Sequence, residues 1–386
     1  MGNDPMALGM ASPLVSIMMP AYNAERYIGE AIASVREQTY AHWELLIVDD
    51  GSTDRTAAIA AQAAAADPRV RLIQQPNGGE AVARNTALTH MRGELIAFLD
   101  ADDAYLPHHL AAVVAYLQAH PDRDAVYTDG YHCDREGRRL ATLSSRRRGP
   151  FEGDLFEPLV RASDVFGPPL CVALRRDGVM RRALAFDPQI VIGPDWEFFI
   201  RYAEEARFGY LDEPTCLYRV HTANISVRTS ASRRALSLAR CRESAIGRRR
   251  FGECSLETRA AAFYDLLINC LTGYPERQTE ITGWTQFQQL PAAEQARLLR
   301  LMASWSLREG VRAAPVASWL HRARTICPAD RLATALAALY AFSPRLCRLA
   351  VQVKMARQPP RSVVPFADLA RAASVSKNLF GNTPGD

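Results

Sequence analysis

Residues 43–54 read WELLIVDDGSTD. An apolar run, LLIV, stops at two aspartates and then at a glycine–serine–threonine turn. Such a run leaves no polar face, so it predicts a strand buried on both sides. The same grammar recurs at 95–103, LIAFLDADD, and at 14–23, LVSIMMPAYN, where Pro20 is expected to end the strand. Helical spacing separates these runs. It appears at 25–38, with Tyr27, Ile28, Ile32 and Val35 on one face, in alanine-rich 54–66, at 79–91 and at 107–119. Shorter strands are expected at 70–74 and 125–128. Strands alternating with helices predict an α/β fold, Rossmann-like, with a mostly parallel sheet flanked by helices.

Beyond Asp129 the pattern loosens. Residues 135–150 carry Arg138, Arg139, Arg146, Arg147 and Arg148 and read as a hairpin with a mobile basic loop. Residues 195–205 read as a helix capped by Asp195, and 217–220 as a strand. After Arg228 the chain reads as helical and arginine-rich, with a turn-rich break at 358–365 and frayed last residues. Two units are expected: 13–228, and a helical C-terminal region, 229–386, of unassigned role.

The chain has 386 residues, 48% hydrophobic and 23% charged, which excludes wholesale disorder and a small disulfide scaffold. Forty-six basic against 42 acidic residues give a net charge of +4, too mild for a nucleic-acid footprint. The basic side is nearly all arginine, with only Lys354 and Lys377. The eight cysteines include no CxxC pair, and they read as buried apolar residues in a reducing compartment. No signal peptide is apparent at the N-terminus, and 332–342 is too short to span a bilayer. The expected location is cytoplasmic, with peripheral contact at the inner face of the membrane as the alternative to a freely soluble state.

In a parallel sheet, ligands bind where the strands' C-terminal ends open a crevice. The two acidic clusters, Asp49–Asp50 with Gly51-Ser52-Thr53-Asp54 and Asp100-Ala101-Asp102-Asp103, stand at such ends. Packed carboxylates repel one another, and a hard cation such as Mg²⁺ or Mn²⁺ relieves the repulsion while bridging to phosphate. Either cluster alone also reads as a solvated turn or a helix cap. Between them, Asn77-Gly78-Gly79 precedes a helix carrying Arg84. The glycines would let the backbone approach an anion, and Arg84 pairs well with diphosphate. No GxGxxG follows the first strand, against a dinucleotide-binding domain.

The ordered set VSIMMPAYNAERYIGEAIASVREQTY, WELLIVDDGSTDRT, NGGEAVARNTAL and GELIAFLDADD resembles glycosyltransferase family 2. That resemblance implies the GT-A fold and a nucleotide-diphospho-sugar donor. It implies Pro20, Ala21 and Tyr22 as the first wall of a base pocket, and Asp49 and Asp50 as base and ribose contacts. Arg84 would lie near the diphosphate. Asp100 and Asp102 would form the DxD metal motif, with Asp102 the direct ligand. GPDWEFFIRYA resembles the segment holding the catalytic base, which points to Asp195, with Glu197 beside it as a substrate contact or alternative base. LYRVHTANIS resembles the closing motif, in which His221 reaches the metal or diphosphate. Two positions depart from the family pattern: Pro194 stands where an acidic residue is usual, and Ala87 where glycine is usual.

The implied reaction is single displacement with inversion onto a hydroxyl of a glycan or lipid-linked acceptor, in cell-surface polysaccharide or glycoconjugate synthesis. Two other classes fit less well. A non-catalytic nucleotide-sugar binder would have no need of Asp100, Asp102 and Asp195. A nucleotidyltransferase would need a glycine- and lysine-rich triphosphate loop, which PAYNAERY is not.

Overall fold

The structure is a computed structural model that describes residues 12–221, 228–273, 277–311 and 315–356. Its centre is a ten-stranded mixed sheet. Strands β1 (Val15–Ala21), β2 (Trp43–Asp49), β3 (Val70–Gln74) and β4 (Leu95–Phe98) run parallel in the order β3-β2-β1-β4. Beyond them β9 (Val172–Arg175) is antiparallel to both β4 and β6 (Ala125–Cys133). The long β10 (Arg207–Arg219) then pairs parallel with β6 and antiparallel with β5 (Ala104–Tyr105). Two short strands, β7 (Arg139–Thr142) and β8 (Gly153–Asp154), add to β6 and β10.

The apolar runs alternate between two cores, as a strand's period of two requires. Val15, Ile17, Met19, Leu45 and Ile47 face helices α1 (Ile28–Arg36), α2 (Thr56–Ala66) and α4 (His109–Ala119). Met18, Leu46, Val48, Ile96 and Phe98 face α3 (Glu80–His90), α5 (Phe156–Arg161) and α7 (Pro194–Ala203), beyond the short α6 (Arg176–Arg181). Pro20 does not end β1 but lies within it, opposite Val48. Pairing with β4 stops at Met18, so the missing N–H falls where one side of the strand is already open.

The C-terminal helices are α8 (Ala231–Ile246), α9 (Leu256–Gly273), α10 (Gln278–Ile281), α11 (Thr285–Gln288), α12 (Ala292–Glu309), α13 (Val316–Ile326), α14 (Arg331–Phe342) and α15 (Pro344–Ala356). Their buried residues, among them Phe263, Leu299 and Trp319, are continuous with those of α5 and α7 in one core. The helical region therefore packs on α5 and α7, the helices that cover this face of the sheet. The turn-rich break at 358–365 and the last residues lie outside the described residues.

The basic loop after β7 is anchored, contrary to the mobile loop its sequence suggests. Arg147 is 4% exposed and pairs with Asp129, itself 6% exposed, at 3.0 Å. The same guanidinium donates to the Thr128 and Phe166 carbonyls, and Ser144 donates to Asp129 at 2.6 Å. Burying a charge this deeply requires a partner. Asp129→Ala should strand Arg147 and cost about 3–5 kcal/mol of stability, read as a lowered urea midpoint. A midpoint unchanged from wild type would mean that the pair does not anchor the loop.

Candidate active site

The C-terminal ends of β1, β2 and β4 bring three loops together, and hydrogen bonds between loops fix them. Asn23 adopts φ 49° and accepts from the Thr53 amide at 2.8 Å, while its own amide donates to Ser52 Oγ. Two further bonds cross here, from the Glu25 amide to the Asp54 carboxylate and from the Arg55 amide to the Glu25 carboxylate. Ala24 donates to Thr56 Oγ1 at 2.7 Å. The serine, threonine and aspartate after β2 thus staple the first loop to the second.

Gly51 has φ 75°, and a Cβ there would come within 2.9 Å of the Asn77 nitrogen. That close approach brings the NGG loop onto Asp50. The Asp50 carboxylate accepts from Gly78 N at 2.9 Å, Gly79 N at 2.7 Å and Gln75 Nε2 at 2.7 Å. Two sequence expectations change here. The glycine amides do approach an anion, but it is the chain's own Asp50. Asp50 in turn ties the loop down, with its oxygens engaged, where a ribose contact was expected. Asp49 is held more loosely, by the Ser52 amide at 3.2 Å and by Gln74 at 3.4 Å. Tyr22 is 53% exposed at the mouth, whereas Ala21 is buried and contributes its carbonyl to the Asp50 amide.

Arg84 is a buried cation of the site, 1% exposed. It bridges Asp100 and Glu80, each at 2.8 Å, and lies over the Phe186 ring. Burial opposes its charge, but Glu80 and Asp100 outweigh that and hold it protonated. Burial raises the Asp100 pKa against the pull of Arg84, with Asp102 adding to the rise. Asp103 is pushed well up by burial, Asp102 and Asp100, although the Arg219 amide donates to it at 2.7 Å. Glu80 is pushed up to about 7, by burial and by Asp100, Asp195 and Asp102 against Arg84. Burial is the first cause of each of these rises, and the crowding of Asp100, Asp102 and Asp195 adds to it.

Asp102 Oδ2 lies 2.9 Å from His221 Nε2, and the imidazole stacks on Tyr27 at 5.2 Å. Arg219, 1% exposed, locks this corner by donating to the Asp102 and Arg135 carbonyls and pairing with Glu30 at 2.8 Å. Among the described residues no group of three or more His, Cys, Asp or Glu side chains forms a metal cage. The donor set still fits a divalent cation held by few protein atoms. Asp102 and His221 supply adjacent oxygen and nitrogen ligands, in a site crowded with carboxylates. The rest of the closing motif, 222–226, lies outside the described residues.

Asp195 is not the cap of its helix. Gly193 is, with φ 78°, a left-handed conformation that suits glycine. Pro194 follows in the first turn, where its missing N–H costs nothing. Asp195 is therefore inside the first turn, half-exposed and without a hydrogen-bond partner among the described residues. Its charge acts on Glu80, Arg84, Asp100 and Tyr218, which puts it in the same field as the acidic cluster. Glu197 turns the other way. It is buried, bound by Arg201 through both oxygens at 2.7 Å and by Ser244 Oγ at 2.6 Å. This corrects the expectation of a substrate contact: Glu197 joins α7 to α8.

One polar link was not anticipated. The Asn85 side chain donates to the Phe186 carbonyl at 2.8 Å and accepts from its amide at 2.7 Å. Phe186 stacks on Phe198 of α7 at 4.4 Å. Asn85 thus connects the helix of Arg84 to the helix of Asp195. Glu80, Tyr27 and Arg219 are further site residues without a distinct sequence signal, except that Arg219 stands at a strand end two residues before His221, whereas Asp103 belongs to the acidic cluster the sequence shows.

Residues 16–180 match the family model of Glycosyl transferase family 2. Over 223 residues the chain is 40% identical to the putative glycosyltransferase EpsE of Bacillus subtilis (strain 168), covering 54% of this chain and 73% of that protein. The chain belongs to glycosyl transferase family 2. A second relative, the putative teichuronic acid biosynthesis glycosyltransferase TuaG of the same organism, is 47% identical over 106 residues, 27% of this chain. Only 42% of TuaG is covered, so the chain spans well under two thirds of that relative. Among solved structures, S. aureus TarS 1-349 in complex with UDP-GlcNAc superposes with TM-score 0.56 at 18% identity. The match covers 82% of this chain and 91% of that one. At that identity the likeness concerns the fold, and it agrees with the GT-A architecture of this family 2 member.

Glu80 gives a pH test of this charge balance. A carboxyl whose folded pKa is raised binds its proton more tightly folded than unfolded, so its ionisation erodes stability as pH rises from about 4.5 towards 7. In metal-free buffer, Glu80→Gln should flatten that decline by up to about 2–3 kcal/mol. An identical slope in both proteins would remove Glu80 from the strained cluster.

Proposed function

We propose that the chain is an inverting glycosyltransferase that moves a sugar from a nucleotide-diphospho-sugar to a hydroxyl of a glycan or lipid-linked acceptor. The reading assigns it to cell-surface polysaccharide or glycoconjugate synthesis. The observation that carries it is the half-exposed, unpaired Asp195 sharing one electrostatic field with Arg84, Asp100 and Asp102. Family membership and relatives named as glycosyltransferases support the same reading.

In this reading Tyr22 and Asp49 hold the base, Tyr22 by its exposed ring and Asp49 by its free acceptor capacity. Arg84 holds Asp100 in place and presents positive charge beneath the diphosphate. The acceptor oxygen attacks the anomeric carbon while Asp195 takes its proton. The bond from that carbon to the diphosphate oxygen breaks, and its electron pair leaves with the nucleoside diphosphate. The configuration inverts, and no covalent glycosyl-enzyme forms. Mg²⁺ or Mn²⁺, held by Asp102 and His221 with Asp100 alongside, would supply charge stabilisation to the leaving group. Among the described residues no helix is long and apolar enough to cross a membrane. In this reading a lipid-linked acceptor is met at the inner face of the membrane by a peripheral enzyme.

Asp195→Asn should retain donor affinity but lose transfer by about 10²–10⁴-fold. Because Gly193 caps the helix, asparagine there disturbs no capping bond. Near-normal turnover would show that another group is the base. Incubation with a panel of sugar nucleotides should release free nucleoside diphosphate. Release of pyrophosphate would indicate a nucleotidyltransferase, and no turnover with any donor a binding protein. Asp102→Asn should abolish the thermal shift that Mn²⁺ adds to nucleoside diphosphate binding. Full retention of that shift would place the metal elsewhere.

A further inference from the structure

Helices α14 and α15 follow one another across Ser343 and pack together, and each leaves an apolar stripe exposed. On α14, Leu332, Ala335, Ala338 and Phe342 lie on one face and are exposed, Phe342 by 81%. Ala333, Leu336, Ala337 and Tyr340 pack inward. On α15 the inward residues are Cys347 and Val351, four apart. Leu346, Leu349 and Val353, spaced as one helical stripe, are exposed by 48%, 56% and 47%. Large apolar side chains collected on one face, with others already filling the core side, mark a surface for another phase or partner.

Charge decides which. From Arg331 to Ala356 the chain carries Arg331, Arg345, Arg348 and Lys354 and no acidic residue. Around the helix, Arg345 and Lys354 flank the stripe of Leu346, Leu349 and Val353 on either side. An apolar stripe edged by cations and free of carboxylates complements an anionic lipid surface. The helices have 12 and 13 residues, about 18–20 Å each, against a hydrocarbon core of about 30 Å. They are too short to cross and long enough to lie in the interface.

We propose that the α14–α15 pair docks the protein onto anionic lipid bilayers, with Phe342, Leu346, Leu349 and Val353 inserted below the headgroups and Arg345 and Lys354 among the lipid phosphates. The contact needs no turnover, so vesicle binding tests it separately from the transfer reaction. The full chain should float with phosphatidylglycerol-containing vesicles at low salt and much less with phosphatidylcholine alone. Leu346→Glu combined with Leu349→Glu should weaken vesicle partition by roughly a hundredfold. Arg345→Gln with Lys354→Gln should weaken it by roughly tenfold or more. These side chains are exposed, so the melting temperature should hold, and Phe342→Glu provides an independent variant. Three results would overturn the proposal. One is wild-type protein that does not float with anionic vesicles. Another is flotation undiminished in the leucine and Phe342 variants, including flotation that depends only on residues 357–386. The third is a wild-type dimer that the leucine variant converts to monomer with vesicle binding unchanged, which would assign the face to a second copy.

Discussion

The buried guanidinium of Arg84 is the contact on which the site depends. It stands where α3 meets the end of β4 and carries two carboxylates at once, Glu80 from its own helix and Asp100 from the strand end. Without it, Asp100, Asp102 and Asp103 would repel one another at a strand end. With it, the cluster holds together but keeps more negative charge than positive. That imbalance suits a site whose ligands bring a cation and a diphosphate. Burial first, and the neighbouring carboxylates after it, raise the pKa values of Glu80, Asp100 and Asp103. The Asn85 bridge to Phe186 extends the same helix towards Asp195, so a single α-helix positions both sides of the cleft.

The sequence makes the parallel half of the sheet legible because its strands are buried on both faces and read as unbroken apolar runs. Acidic residues placed directly after those runs mark the crevice for the same reason. Partner choice is not legible. Asp49 and Asp50 are adjacent and chemically identical, yet one is tied to three donors of the NGG loop and the other keeps spare acceptors. Asp195 and Glu197 stand two residues apart on one helix, where a 200° rotation sends one to the cleft and the other to Arg201 and Ser244. The basic segment 135–150 misleads by composition, since six arginines suggest solvation while Arg147 is in fact buried against Asp129. Cap identity misleads in the same way. Aspartate before an apolar helix is a strong cap signal, but the glycine–proline pair ahead of Asp195 begins the helix first.

The helical C-terminal region presents two different surfaces. One is buried with α5 and α7 in a core shared with the sheet. The other, on the last two helices, is apolar without being buried. Residues with equal hydrophobicity thus have separate fates, decided by helix face. Cys347 and Val351 are inside, while Leu346 and Leu349 beside them are out.

The contacts that complete the cleft join residues far apart along the chain. Asn85 meets Phe186 across 101 positions, Asp103 meets Arg219 across 116, and Asp102 meets His221 across 119. Local elements such as β1, α1 and β2 can form early, but the Asp102–His221 corner cannot close until the end of β10 has been synthesised. During translation Asp102 and Asp103 would therefore wait for His221 and Arg219, while Asp100 already has Arg84. High sequence separation slows such closure, and vectorial synthesis at about 5–20 residues per second adds several seconds before the last partner emerges. Assembly of this site is thus a late event in the life of the nascent chain.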